Sequence, residues 1–102
     1  MKWIHTTCEN QEEAHAIAKT LLEEKLVACV QILPDIKSIY LWQGAIEEAD
    51  EVGVYFKTIA DKADRAMVRI EELHSYDCPC IVKINIEDMN PSSREWLNQL
   101  SP

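Results

Sequence analysis

Apolar residues recur along this chain with two different spacings, and the switches between them lay out the secondary structure. Lys2 to Cys8 is short, holds Trp3, Ile4 and two threonines, and predicts a strand. Ala14, Ile17, Ala18, Leu21 and Leu22 then follow the i, i+3, i+4, i+7, i+8 spacing of one helix face. Asn10 stands three residues before Glu13, the arrangement of a capping box with Asn in place of Ser or Thr. Glu12, Lys19, Glu23, Glu24 and Lys25 fall off the stripe and are expected in water.

Leu26 to Leu33 is apolar except for Gln31, too short for a buried helix and suited to a central strand covered on at least one face. Pro34 has no N–H for a ladder and marks a break or bulge. An extended pattern resumes from Ile36 to Trp42, Gln43-Gly44 gives a turn, and Ile46 to Thr58 returns. Within the return, Glu47 to Asp50 and Glu51 are strongly acidic apart from Ala49, whereas Val52, Val54 and Phe56 alternate with Gly53, Tyr55 and Lys57. Together these segments predict a β-hairpin with arms at the upper end of ordinary strand length. Asp61 is placed to cap a second helix whose stripe is Ala66, Met67, Ile70, Leu73 and His74. Cys80 to Glu87 reads as a strand, with Val82, Ile84 and Ile86 on one face and Ile81, Lys83 and Asn85 on the other. Asn90-Pro91 opens a last helix, with Trp96, Leu97 and Leu100 on its apolar side.

The order β-α-β-β-α-β plus a terminal helix predicts an α+β, ferredoxin-like sandwich. Both long helices then cover one face of an antiparallel sheet. The opposite face keeps apolar and aromatic residues that the last helix alone cannot cover, and such patches mark interfaces. A long hairpin also leaves strand edges to be paired. A closed ring of subunits would satisfy both needs at once, so an oligomer is expected.

Composition narrows the class. The 102 residues correspond to a single domain, 1–102, and 47% hydrophobic residues suffice for one core. The net charge of −8 and a sequence pI near 4.7 disfavour binding to nucleic acid. No apolar run approaches the length of a membrane span, and the N-terminus lacks a signal peptide's apolar stretch, so a cytoplasmic protein is expected. In that reducing setting Cys8, Cys29, Cys78 and Cys80 are free thiols or metal ligands rather than a disulfide framework.

Several residues offer chemistry. His74 ends the second helix, where a neutral imidazole suits copper or zinc and a charged one would favour the helix dipole. Cys78-Pro79-Cys80 places two thiols two residues apart, on one side of an extended chain, suited to Cu(I) or zinc. Cys29, in the most apolar strand, reads as a small hydrophobe, and Cys8 is near enough in sequence to the first strand's end to meet Cys29 or His5. Trp42, Tyr40, Lys57 and Tyr76 could line a cleft between subunits, Lys57 either holding an anion there or standing as a surface lysine. The acidic run reads as a solvated strand face. No phosphate-binding loop and no nucleophile is legible, so no enzyme is predicted.

Three stretches resemble the CutA family: Glu24-Lys25-Leu26-Val27-Ala28-Cys29-Val30-Gln31-Ile32-Leu33-Pro34; Ser38-Ile39-Tyr40-Leu41-Trp42-Gln43-Gly44-Ala45-Ile46-Glu47-Glu48, continuing to Phe56-Lys57-Thr58; and Leu73-His74-Ser75-Tyr76-Asp77-Cys78-Pro79. Thr6-Thr7 and Trp96-Leu97 also fit, so the likeness spans essentially the whole chain. Departures are Gln31, Ala45, Ser75, Cys80 and Met89-Asn90-Pro91. The resemblance implies a ferredoxin-like homotrimer similar to that of PII signalling proteins, tolerance of divalent cations, and copper binding with no obligatory cofactor. Positions matching the family's copper ligands are Thr6, Leu73 and His74, of which only His74 offers a metal ligand. The resulting expectation is a metal-binding tolerance protein using His74, Cys78 and Cys80. The alternative is a PII-like module whose inter-subunit cleft, with Cys29, Trp42, Lys57 and Tyr76 at its walls, takes a small anion or a partner protein.

Overall fold

Seven elements form over the described residues, 1–100, of the computed structural model. They are β1 (Lys2–Cys8), α1 (Gln11–Glu23), β2 (Cys29–Trp42), β3 (Ala45–Thr58), α2 (Ala60–Leu73), β4 (Ile81–Asn85) and α3 (Pro91–Asn98). The strands make one antiparallel sheet in the order β2-β3-β1-β4, the arrangement expected for a ferredoxin-like fold. No helix of the described residues is long and apolar enough to cross a membrane.

Period-two alternation sorts the sheet into two faces. Ile4, Thr6 and Cys8 on β1 pair with Phe56, Val54 and Val52 on β3, and all six are buried beneath the helices. Ala14, Ile17, Ala18 and Leu21 of α1, and Ala63, Ala66 and Ile70 of α2, close that face. Full burial of a side chain such as Ile17, Leu21 or Ile70 stabilises the fold by about 1.5–3 kcal/mol. Leu22, expected in the stripe, lies at its rim and is 42% exposed.

The start of α1 follows its sequence signal: the Glu13 N–H donates to Asn10 Oδ1 at 2.9 Å. Its end explains why β2 begins later than the apolar run. Lys25 takes a left-handed φ of 57°, while Lys25 N–H donates to the Leu22 carbonyl and Leu26 N–H to the Leu21 carbonyl, both at 3.0 Å. These are the two bonds of a Schellman motif, so Leu26 and Val27 enter the core as a helix cap rather than as a strand. The strand that follows is not central, as its composition suggested, but lies at the sheet edge. Leu33 on it remains 41% exposed, and Cys29 is only half-buried.

Pro34 sits in a bulge as expected. Leu33 pairs with Gly53 and Ile36 with Glu51, so Pro34 and Asp35 oppose Val52 alone, with Asp35 at φ 61°. Gln43 and Gly44 both have positive φ, 51° and 83°, and close the hairpin as a two-residue turn between Trp42 and Ala45. In α2 the cap position is Ile59, without a side-chain cap, and Asp61 falls inside the first turn instead. Leu97 of α3 is buried; Trp96 is exposed.

The face away from α1 and α2 carries Trp3, His5, Tyr55, Lys57, Leu33, Val82 and Ile84. Tyr55 packs edge-on against Trp3, with ring centroids 5.7 Å apart, and lies 4.7 Å from the His5 ring. Trp3 Nε1 is shielded from solvent without a hydrogen-bond partner. The hairpin stretches the molecule to 45 × 25 × 22 Å, and near its tip Ile39, Leu41 and Ile46 are 65%, 76% and 73% exposed.

Candidate metal centre

β1 ends, α1 begins and α2 ends at one place, and three potential ligands meet there. Cys8 closes β1 with its thiol turned under the helices, Glu13 is in the first turn of α1, and His74 is the C-cap of α2. One ligand atom from each lies within 4.8 Å of the other two. Cys8 and His74 are buried, whereas the Glu13 side chain is 15% exposed and forms the opening to the group.

The hydrogen bonds around His74 fix its ring. Nε2 lies 2.9 Å from the Thr7 carbonyl oxygen and 3.2 Å from Thr6 Oγ1. Thr6 Oγ1 gives its own proton to the Cys80 carbonyl at 2.8 Å, so toward His74 it can only accept. Nε2 therefore donates. On the other side the Tyr76 N–H donates to Nδ1 at 3.2 Å. This pattern assigns the neutral Nε2–H tautomer. The ring ties β1 to the chain leaving α2 rather than serving α2's last carbonyls, as the helix-dipole argument would have had it. Thr6 is thus a hydrogen-bond partner of His74, and Leu73 packs against the core.

Two carboxylates flank the ring. Burial would raise the Glu13 carboxyl, but the Ser75 hydroxyl, the Cys8 thiol, the His74 charge when present and the Glu9 amide outweigh it and hold the group below its ordinary range. Glu13 Oε1 is 4.0 Å from His74 Nδ1, is shielded from solvent, and has no hydrogen-bond partner. Glu51 behaves alike: burial opposes ionisation, and the hydroxyls of Ser38, Tyr76 and Thr7 overcome it. Tyr76 Oη donates to Glu51 Oε2 at 2.8 Å, and burial with this bond raises the phenol. Glu51 is the exception to the solvated acidic run, since Glu47, Glu48 and Asp50 are exposed and Lys37 pairs with Asp50 at 2.7 Å. The Cys8 thiol is pushed up to about 12, first by burial and then by Glu13 and Glu51, so it stays protonated at neutral pH.

Of the residues singled out from sequence, His74 belongs to this centre and Tyr76 borders it. Cys78 and Cys80 do not join it; both are exposed on the segment leading into β4. Cys29 and Lys57 are cross-strand partners on the bare sheet face, where the Lys57 ammonium lies 4.8 Å over the Trp3 ring. Trp42 is at the far tip of the hairpin, so within one protomer these four do not line a common cleft. Cys8 meets neither Cys29 nor His5 but Glu13 and His74. Glu13 was legible only as a capping residue, and Glu51 only as one of an acidic run. Cys8's even spacing from Ile4 and Thr6 was the one signal that it faced inward.

The donor set is one thiol sulfur, one imidazole nitrogen and one carboxylate oxygen, of which Glu13 Oε1 has no other partner. Sulfur, nitrogen and oxygen together suit borderline ions such as copper and zinc. The cluster therefore fits a divalent transition-metal ion, for which Cys8 would supply a thiolate, Glu13 a carboxylate oxygen and His74 its Nδ1.

Comparison with known proteins shows the family to which the chain is similar. Residues 2–100 match the family model described as CutA1 divalent ion tolerance protein. A divalent-cation tolerance protein CutA from Pyrococcus horikoshii is 42% identical over 92% of this chain and 91% of its own. The crystal structure of a divalent ion tolerance protein CutA1 from Ehrlichia chaffeensis superposes with a TM-score of 0.93 at 33% identity, covering 99% of this chain and 94% of the other. A structure titled periplasmic divalent cation tolerance protein CutA, from Archaeoglobus fulgidus, gives 0.92 at 40% identity over 98% of both chains. These relatives are named for tolerance of divalent ions, not for a catalysed reaction.

Proposed function

The chain belongs to the CutA1 divalent ion tolerance family, and from that premise we propose that it acts by holding a divalent cation, copper by preference, at Cys8, Glu13 and His74. The observation that carries this reading is the buried Glu13 Oε1, unpartnered beside a thiol and an imidazole. Among first-row divalent ions such a site takes Cu(II) most tightly. Ligation requires the thiolate, so binding releases a proton from Cys8 and strengthens as pH rises. Glu13, already ionised and partly exposed, meets the ion first.

The same reading includes a homotrimer. The apolar sheet face, the unpartnered Trp3 Nε1 and the exposed hairpin tip support assembly, and β2 as an edge strand offers a ladder to a neighbour. Cytoplasmic placement is part of the proposal too, supported by four free thiols. Calorimetric titration with Cu(II) and Zn(II) tests the metal centre. One ion per chain is expected, with binding weakened at least about 100-fold in Cys8→Ser, beyond what loss of an outer partner alone costs. Unchanged binding in Cys8→Ser and Glu13→Gln would refute the site.

A further inference from the structure

We infer that Tyr76 and Glu51 set the cation affinity of the centre, because Tyr76, fastened to Glu51, keeps its backbone N–H on the one lone pair that His74 can offer. The inference rests on the reading of Cys8, Glu13 and His74 as a cation site and names what regulates it. A neutral imidazole has one proton and one lone pair. The proton is on Nε2, committed to the Thr7 carbonyl at 2.9 Å. The lone pair is therefore on Nδ1, the nitrogen 4.0 Å from Glu13 Oε1. There it accepts the Tyr76 N–H at 3.2 Å. One lone pair cannot serve an N–H and a cation together. Of the two nitrogens, Nε2 alone suffices to orient the ring, since it is tied to β1. The Tyr76 N–H thus closes the nitrogen without being needed to aim it.

The Tyr76 side chain holds that N–H in place. His74 leaves α2 in an extended conformation, φ −73° and ψ 140°, and Ser75 to Cys78 run through bends outside helix and strand. No helix or sheet ladder therefore fixes residue 76. Its phenol does: Tyr76 Oη donates to Glu51 Oε2 on β3 at 2.8 Å, and its ring lies 4.8 Å from the His74 ring, tilted by 45°. Tyr76 is pinned at one end to the hairpin and at the other to the centre. When the latch lifts, the freed N–H is on a part-buried segment where water can take it. Glu13 Oε1 already stands without a partner, so the imidazole nitrogen is the donor under control. Opening the latch and filling the centre are linked, and each favours the other by the same factor.

Zn(II) titration of the full chain and of Tyr76→Phe tests this, with calorimetry giving the affinity and NMR hydrogen exchange following the residue-76 amide. Tyr76→Phe keeps the ring and removes only the bond to Glu51. It should bind Zn(II) about three- to tenfold more tightly, the worth of one hydrogen bond, and its residue-76 amide should exchange faster before any Zn(II) is added. In the wild-type chain the same amide should lose protection on saturation with Zn(II). Weaker or unchanged affinity in Tyr76→Phe would overturn the inference. Tighter binding with an unmoved amide would also overturn it, by assigning the gain to the bared Glu51 carboxylate. Zn(II) bound by the wild-type chain with full amide protection would sink the latch and leave the metal centre standing. No Zn(II) binding by either chain would refute the metal centre itself and the latch with it.

Discussion

Two regions of this molecule invert the ordinary rule of apolar inside and polar outside, in opposite directions. Around His74 a thiol, two carboxylates, a phenol and an imidazole are buried or half-buried within one protomer. On the far sheet face and along the hairpin, Leu33, Ile39, Leu41, Trp42 and Ile46 are left in water. The first region offsets its desolvation internally, since almost every polar atom finds a partner and the exception is Glu13 Oε1. The second has no such compensation within the protomer, which is what supports the proposed assembly. A polar cluster inside thus points to a ligand, and an apolar surface outside points to assembly.

The largest test of this contrast is Leu33→Asp. A charge on the bare face of the edge strand should leave the protomer fold intact, because Leu33 is outside the core, and should abolish the proposed trimer, leaving a monomeric solution mass. Light scattering reads this directly; a trimeric mass in the variant would break the apolar half of the comparison. Next in size is His74→Ala. It leaves the Thr7 carbonyl and the Tyr76 N–H without their partner and opens a small cavity, costing about 2–4 kcal/mol in denaturant unfolding. Cys78→Ser on the surface should cost within about 0.5 kcal/mol.

The smallest effect is on pH dependence, and its sign follows from which form folding favours. Glu13 and Glu51 are held below the ordinary carboxyl value of 4.5, so the unfolded chain binds more protons as pH falls past it. Their contribution is present above that pH and is lost on further acidification. Cys8 acts at the other end. Its raised thiol binds its proton more firmly when folded, so stability declines between 9.0 and about 12. Thermal melts of Glu51→Gln should flatten the acid limb, and those of Cys8→Ser the alkaline one.

The fold was largely legible because period-two and helical spacings record burial directly, as in Ile4-Thr6-Cys8 and Ala14-Ile17-Leu21. The misplaced start of β2 has a local cause: a non-glycine residue, Lys25, takes the left-handed cap position, so nothing in the composition announced the Schellman turn. The misjudged centrality of that strand has a different cause. Its apolar run lies on an edge strand with residues such as Leu33 left exposed, and period alone cannot separate such a run from a core. The cluster of Cys8, Glu13 and His74 was legible only through His74. Its companions Cys8 and Glu13 stand 66 and 61 positions away in the chain, brought together by the crossing of β1, α1 and α2. The C-x-C motif was visible in the sequence, but the structure keeps Cys78 and Cys80 exposed and outside the cluster around His74.

The central claim is that Cys8 becomes a metal-bound thiolate, and Co(II) absorption measures it most directly. Co(II) added to the full chain should give a sulfur-to-metal charge-transfer band that persists in Cys78→Ser/Cys80→Ser and vanishes in Cys8→Ser. A band unaffected by Cys8→Ser, or none at all in the wild-type chain, would contradict the account.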